Sequence, residues 1–172
     1  ITITSDSADI TKITATGTSN LTTTGALTLE TGEFADIIIN SGSAEITSLK
    51  STGEANLTTA GALTLGTGEF KDITITSDSA DITKITATGT SNLTTTGALT
   101  LGTGEFKDIT INSGSAEITS MKSTGDANLT TTGDLTVGTG DFAKVTMTSN
   151  NGSVEVSNLT SSNNVVINSE NG

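Results

Sequence analysis

The first 36 residues, ITITSDSADITKITATGTSNLTTTGALTLETGEFAD (1–36), decide the fold because the chain then repeats them. The next 36 read IIINSGSAEITSLKSTGEANLTTAGALTLGTGEFKD (37–72), and further copies occupy 73–108 and 109–144. A degenerate fifth copy fills 145–172. Because alternate copies are nearly identical, the duplicated unit is a pair of copies, as in 1–72 and again in 73–144. The repeat predicts that the whole chain (1–172) forms one solenoid segment.

Within each copy, apolar residues alternate with Thr and Ser, as at residues 1–4 and 27–29. A period of two indicates a strand with one buried face, and the β-branched residues that dominate these runs suit a pleated surface. Gly residues and Ser-rich triplets, such as residues 5–7, separate the runs. Each copy therefore predicts about four short strands, and no segment has helical periodicity.

A single copy has too few large side chains to bury a core by itself. Stacking the copies as coils of a parallel β-solenoid (β-helix) gives an all-β fold in which apolar columns run along the axis. Three registers recur with the period of 36 and predict such columns: Phe34, Phe70, Phe106 and Phe142; Ile10, Ile46, Ile82, Ile118 and Val154; Leu21, Leu57, Leu93, Leu129 and Val165.

The acidic residues indicate how many coils one copy makes. One acidic register comprises Glu33, Glu69, Glu105 and Asp141. With one coil per copy these carboxylates would stack about 4.8 Å apart. Two coils of about 18 residues double the separation to about 10 Å, where salt screens much of the repulsion. We expect two coils per repeat, and hence a rod of nine or ten coils, roughly 45 Å long.

Composition argues against catalysis and nucleic-acid binding. The chain contains no His, Cys or Arg, and its carboxylates recur with the repeat instead of meeting at one place. A net charge of −12 with seven Lys repels phosphate. No apolar run reaches transmembrane length. We expect no enzyme, no cofactor, no nucleic-acid partner and no membrane insertion.

Calcium binding is a further alternative because acidic β-rolls bind this ion in their turns. They use a GGxGxDxUx nonapeptide, which is absent here. The carboxylates nearest the turns are Asp6, Asp9, Asp78 and Asp81. Alternate repeats carry Gly42 and Gly114 at the first of these registers. We therefore predict a solubilising acidic face and no metal site.

An Asn recurs once per copy, at Asn20, Asn56, Asn92, Asn128 and Asn164. One interpretation is a turn residue whose amide bonds to neighbouring backbone, or a ladder along the rod. The alternative is N-glycosylation, because the first four begin the acceptor pattern Asn-Leu-Thr. The structural interpretation is favoured, since the pattern arises wherever such an Asn precedes a Leu-Thr strand.

Ice binding is another alternative, since flat β-solenoids with Thr-x-Thr ranks bind ice. Thr2 and Thr4 fit such a rank, as do Thr74 and Thr76. The second and fourth copies break it with Ile38, Asn40 and Asn112, although Thr110 is kept. Outward Thr is also what strand propensity alone produces.

The segments SNLTTTGALTLGTGEF, DITINSGSAEITS and SNNGSVEVSNLTSSNNVVINSENG resemble the β-helical shafts of filamentous-haemagglutinin-like exoproteins. This is the two-partner secretion class of Gram-negative adhesins and contact-dependent toxins. The resemblance implies a bacterial, exported protein whose solenoid holds a tip away from the cell. No part of the 172 residues resembles the N-terminal secretion domain of that family, and we therefore expect the chain to be a piece of a longer protein.

We therefore expect a structural shaft of a secreted or cell-surface bacterial adhesin or filament. The alternatives are a self-assembling surface-layer, sheath or fibre subunit and, less favoured, an ice- or glycan-binding solenoid. The expected partners are other coils of the parent protein and further copies of the chain, which would pair end to end or laterally. Residues 1–4 carry no polar cap, so we expect the isolated chain to associate through this end.

Overall fold

The computed structural model describes residues 1–169, which contain strands and no helix. There is accordingly no helix in this range that is long and apolar enough to cross a membrane. The strands are β1 (Thr2–Ser5), β2 (Ala8–Thr23), β3 (Ala26–Ser41), β4 (Ser43–Thr59), β5 (Ala62–Ser77), β6 (Ser79–Thr95), β7 (Ala98–Ser113), β8 (Ser115–Thr131), β9 (Leu135–Ser149), β10 (Val154–Ser161) and β11 (Val165–Ser169).

Each strand from β2 to β9 is one complete coil of a parallel β-solenoid. Each pairs in parallel with the next strand along the chain, from β1 to β10. β10 and β11 pair with successive parts of β9 and together form the ninth coil. The predicted all-β solenoid with two coils per repeat is confirmed. The expectation of four short strands per repeat is wrong, because each repeat contains two long strands, and each strand follows a whole coil.

Pairing between coils is interrupted at three places, so each coil has three short runs. In β3 the first run begins at Ala26 and ends before Glu30, which has no partner in β4. The second run ends at Phe34, where the register shifts, and the third runs from Ile37 to Ser41. A turn at Gly42 leads to the next coil. We call the two interruptions between the runs corners. The three runs, the two corners and the turn recur in every coil from β2 to β9.

Successive coils place their large inward side chains at different positions. The sequence therefore repeats after two coils, or 36 residues, and not after one. The second run of β5 places Gly68 and Phe70 inward, whereas β6 places Ile85 and Ala87 at the paired positions. A β-carbon on Gly68 would collide with the Phe70 ring. Each coil with Gly and Phe thus stacks on coils with a large aliphatic residue and Ala or Ser. The alternation of large and small side chains fills the interior.

The predicted apolar columns are buried in the second, third and fourth copies, with aliphatic residues of the intermediate coils between their members. Ile82, for example, pairs with Leu65 and Leu101, and all three are at most 1% exposed. In the first copy Leu21 and Phe34 are buried and Ile10 is half-buried. The four Phe are also buried, at 2–4% exposed.

The fifth copy departs from the predicted register. Val156, and not Val154, continues the Ile118 column through Val137. Ile167, and not Val165, continues the Leu129 column through Met147. The turn from Ser149 to Val154 is two residues longer than the one from Ser41 to Ala44. The extra residues displace everything after the turn by two positions.

Candidate functional site

The outward residues of the three runs form three chemically different sides. The first run carries one outward column, which we call the acidic side. Acidic residues occupy every second coil in it, and Thr fills the others. Its members are Asp9, Thr28, Glu45, Thr64, Asp81, Thr100, Glu117, Thr136 and Glu155. The carboxylates are therefore about 10 Å apart along the axis.

The second run carries charges of both signs, and we call it the mixed-charge side. One of its columns comprises Thr14, Glu33, Lys50, Glu69, Thr86, Glu105, Lys122, Asp141 and Thr160. The predicted acidic register is thus two coils apart, with Lys or Thr between its members. Lys50 Nζ lies 3.4 Å from Glu69 Oε2, and both side chains are more than half exposed. Such exposed pairs stabilise by at most about 1 kcal/mol.

The third run carries two adjacent outward columns without any charged residue, which we call the Thr/Asn side. One column is Thr2, Asn20, Ile38, Asn56, Thr74, Asn92, Thr110, Asn128, Thr146 and Val166. The other is Thr4, Thr22, Asn40, Thr58, Thr76, Thr94, Asn112, Thr130, Thr148 and Asn168. Next to them, nearer the corner, is a further outward position that is charged in most coils: Thr18, Asp36, Glu54, Asp72, Thr90, Asp108, Asp126 and Lys144. The Thr ranks expected from the sequence recur every 36 residues, and Asn-x-Thr coils that were not expected lie between them.

The recurring Asn residues lie on the Thr/Asn side and not in turns. Asn92 follows Ser91 within β6, and its side chain is exposed. Thr74 and Thr110 occupy the paired positions of the adjacent coils, so the four Asn are two coils apart and do not form a continuous ladder. The fifth predicted member, Asn164, lies outside the register because Val166 occupies it. Glycosylation of Asn20, Asn56, Asn92 and Asn128 stays a prediction.

The carboxylates considered for calcium lie apart from one another. Asp6 and Asp78 are at turns, where each accepts a hydrogen bond from the Thr hydroxyl of the next coil, at 3.4 Å from Thr24 and 2.6 Å from Thr96. Asp9 and Asp81 lie on the acidic side. Within residues 1–169 no three carboxylates come together in a way that would hold a metal ion.

A set of Asp residues at the corner before the third run was not singled out from the sequence. Asp72 Oδ1 accepts a hydrogen bond of 2.7 Å from the backbone N–H of Thr90 in the next coil. Asp36 and Asp108 make equivalent bonds to residues 54 and 126. A β-carbon on Gly89 would collide with the Asp72 carboxylate. The Gly at this corner therefore provides space for the carboxylate of the preceding coil, and the signal in the sequence is an Asp that a Thr-Gly pair follows one coil later.

Asp134 interrupts the repeat and has a shifted pKa. The other repeats carry Ala at this register, as at Ala62 and Ala98. Asp134 Oδ1 accepts hydrogen bonds of 2.9 Å from both the backbone N–H and the hydroxyl of Ser153. These bonds favour the ionised form and lower the pKa of Asp134 below its ordinary value. The carboxylate thereby holds the longer turn of the ninth coil in place.

The surface depressions also recur with the repeat. One lies beside Phe70 and is bordered by Lys50 and Glu69. The equivalent depression beside Phe106 is bordered by Glu105 and Lys122. Both are open grooves between outward side chains of adjacent coils. The Thr/Asn side differs from both grooves because its two columns contain no charged residue.

No protein-family model matches the chain, and comparisons with curated proteins and with solved structures likewise found no significant match.

Proposed function

We propose that this chain is a structural shaft of a secreted or cell-surface bacterial adhesin or filament. Its role would be to provide length and stiffness and to hold a distal binding domain away from the cell. The observation that carries the proposal is the parallel ladder, which continues from β1 to β10 as a single sheet. Every added coil lengthens such a molecule without changing its cross-section.

The sequence supports the same role. Residues 1–72 and 73–144 are nearly identical, and duplicating such a unit adds four coils in register. The β-helical character of the repeat agrees with the resemblance to exported adhesin shafts. Localisation outside a bacterial cell is part of the proposal and rests on that resemblance.

An extended variant tests this role. We would insert a second copy of residues 73–144 after Lys144 and measure both proteins by small-angle X-ray scattering. The longest dimension should increase by about 19 Å, which is four coil spacings, while the cross-sectional radius of gyration stays constant. Growth in the cross-section, or aggregation of the longer protein alone, would contradict the shaft.

Self-assembly of the isolated chain is the second candidate, and the apolar side chains that are exposed at both edges of its sheet favour it. Ile1 is 52% exposed, and Val165, Val166 and Ile167 are 41–47% exposed. Free strand edges with apolar side chains pair readily with other chains. Light scattering over a range of concentrations should show that the chain associates. The double substitution of Ile1→Lys and Ile3→Lys should weaken this association. A strictly monomeric rod at high concentration would exclude assembly through this end, and fibres of uniform width would favour the subunit role over the shaft.

A further inference from the structure

The Thr/Asn side is uncharged on a molecule that is otherwise strongly charged. Its 20 outward residues are 11 Thr, seven Asn, Ile38 and Val166. All seven Lys and every acidic residue in the part of the chain that the structure describes lie off its two columns. With a net charge of −12, an uncharged side of this length is a specific property of the repeat and not a consequence of composition.

The Thr/Asn side is also the most regular part of the solenoid. From Thr2 to Thr146 the sequence separation between paired residues is the same at every step, beginning with Thr2 and Asn20. On the acidic side the separations alternate between a longer and a shorter one, as Asp9 pairs with Thr28 and Thr28 pairs with Glu45. The side chains of the Thr/Asn side therefore form a grid with spacings of about 4.8 Å between coils and about 7 Å between columns.

This grid rests on a tightly packed layer. The inward residues between and beside the two columns include Ile73, Ile75 and Leu93, each at most 1% exposed. At the border nearest the corner, Asp72 is turned onto the backbone of the next coil. The outward positions are thus fixed by both the ladder and the core.

The chemistry of the grid limits what would bind to it. Charged side chains such as Glu54 and Asp126 border the grid on the corner side, but the two columns themselves contain none. A partner that lies on the two columns would meet no counter-charge, so an uncharged partner is favoured. Sugars are commonly held by stacking on aromatic rings, but all four Phe are buried and the chain has no Tyr or Trp. A second copy would need large anchoring side chains at the interface centre, whereas this side offers Thr and Asn.

We infer that the Thr/Asn side adsorbs to the surface of ice. Ice is a rigid, uncharged lattice of hydrogen-bonding groups, and a rigid grid of hydroxyl, amide and methyl groups is able to meet it at many points at once. A carboxylate or ammonium group would hold a hydration shell that does not fit a crystal of water. This activity goes beyond the proposed shaft role, because a shaft needs no uncharged side.

Two matched substitutions test the inference. Thr76 lies on the Thr/Asn side and Thr64 on the acidic side, and both are exposed positions of β5. Thr76→Tyr should disrupt contact with a flat lattice, whereas Thr64→Tyr should not. Asn92→Asp, which hardly changes shape, places a charge in the centre of the grid. Far-UV circular dichroism would establish that each variant is folded.

The measurement is the fraction of fluorescently labelled protein that growing ice incorporates, together with thermal hysteresis. The unaltered protein and Thr64→Tyr should both enter the ice and show hysteresis, and Thr76→Tyr and Asn92→Asp should lose most of both. Exclusion of the unaltered protein from ice would overturn the inference, as would equal loss in both Tyr variants. If the unaltered protein is excluded from ice and forms dimers that Thr76→Tyr dissociates, this side binds a second copy of the chain. Binding to crystalline cellulose in place of ice would assign it to a polysaccharide.

Discussion

At the scale of single residues, the interior depends on pairs of unlike size. Phe70 lies over Gly68 within one run, and Ser51 and Ala87 occupy the positions paired with Phe70 in the adjacent coils. The small residues leave the volume that the ring fills. The size of the residue at Gly68 is therefore as strictly limited as that of Phe70.

Phe70→Ala should destabilise the protein by roughly 3–5 kcal/mol, because it removes a buried ring and leaves a cavity beside Gly68. The matched control is Thr74→Ala, an exposed position in the same strand, which should change the free energy of unfolding by well under about 1 kcal/mol. Urea denaturation measures both. Similar small effects for the two variants would mean that the inward and outward faces are assigned wrongly.

Two buried Ser residues provide a second matched pair. Ser91 Oγ has no hydrogen-bond partner, and the repeat carries Ala55 and Ala127 at the same register. Ser123 Oγ donates to the Lys107 carbonyl oxygen at 2.9 Å. Ser91→Ala should leave the free energy of unfolding unchanged or raise it, whereas Ser123→Ala should lower it by about 1 kcal/mol. If chemical denaturation shows that Ser91→Ala lowers the free energy of unfolding more than Ser123→Ala does, the side-chain packing around these two residues is assigned wrongly.

At the scale of the element, the long turn of residues 149–154 depends on ionised Asp134. Because hydrogen bonds from Ser153 lower the pKa of Asp134, the stabilisation is present above the ordinary Asp pKa of about 3.9 and is lost as pH falls through the lower folded value. Asp134→Ala should therefore unfold at a lower temperature than the unaltered protein at neutral pH. The two unfolding temperatures should converge in strong acid. A difference that keeps its full size as the pH falls from neutral to well below the ordinary Asp pKa would contradict this role of the carboxylate.

A single coil should not be removable without loss of stability, whereas a pair of coils should be. Deleting residues 37–72 removes two coils and keeps the alternation of Phe coils with small-residue coils. Deleting residues 37–54 removes one coil and stacks Phe70 on Phe34 and Gly68 on Gly32, which combines overpacking with a void. The single-coil deletion should be less stable by about 1–3 kcal/mol or more, despite being the longer protein. Thermal unfolding compares them, and equal or greater stability of the single-coil deletion would show that the coils are interchangeable.

At the scale of the whole molecule, the period and the apolar registers were enough to predict the solenoid and its two coils per repeat. The acidic register Glu33 to Asp141 contributed because repulsion along the axis limits how like charges stack. The sequence interpretation went wrong at Asn164, Val154 and Val165, since it carried the period through a turn that holds two extra residues. The Thr ranks expected one repeat apart are only half of the Thr/Asn side, because intermediate coils such as the one with Asn20 and Thr22 complete its two uncharged columns.

The measurement that tests the central claim most directly is the distance between equivalent positions two repeats apart. Asn40 and Asn112 occupy the same outward register, separated by Thr58, Thr76 and Thr94. The chain has no Cys, so Asn40→Cys and Asn112→Cys allow two nitroxide labels without further changes.

Because the two labels have equivalent surroundings, their separation should equal the translation along the axis. Pulsed electron spin resonance should give one narrow distance of about 19 Å, which is four coils of about 4.8 Å. A distance of about 10 Å, two coil spacings, would mean one coil per repeat, and a broad distribution would contradict a rigid solenoid.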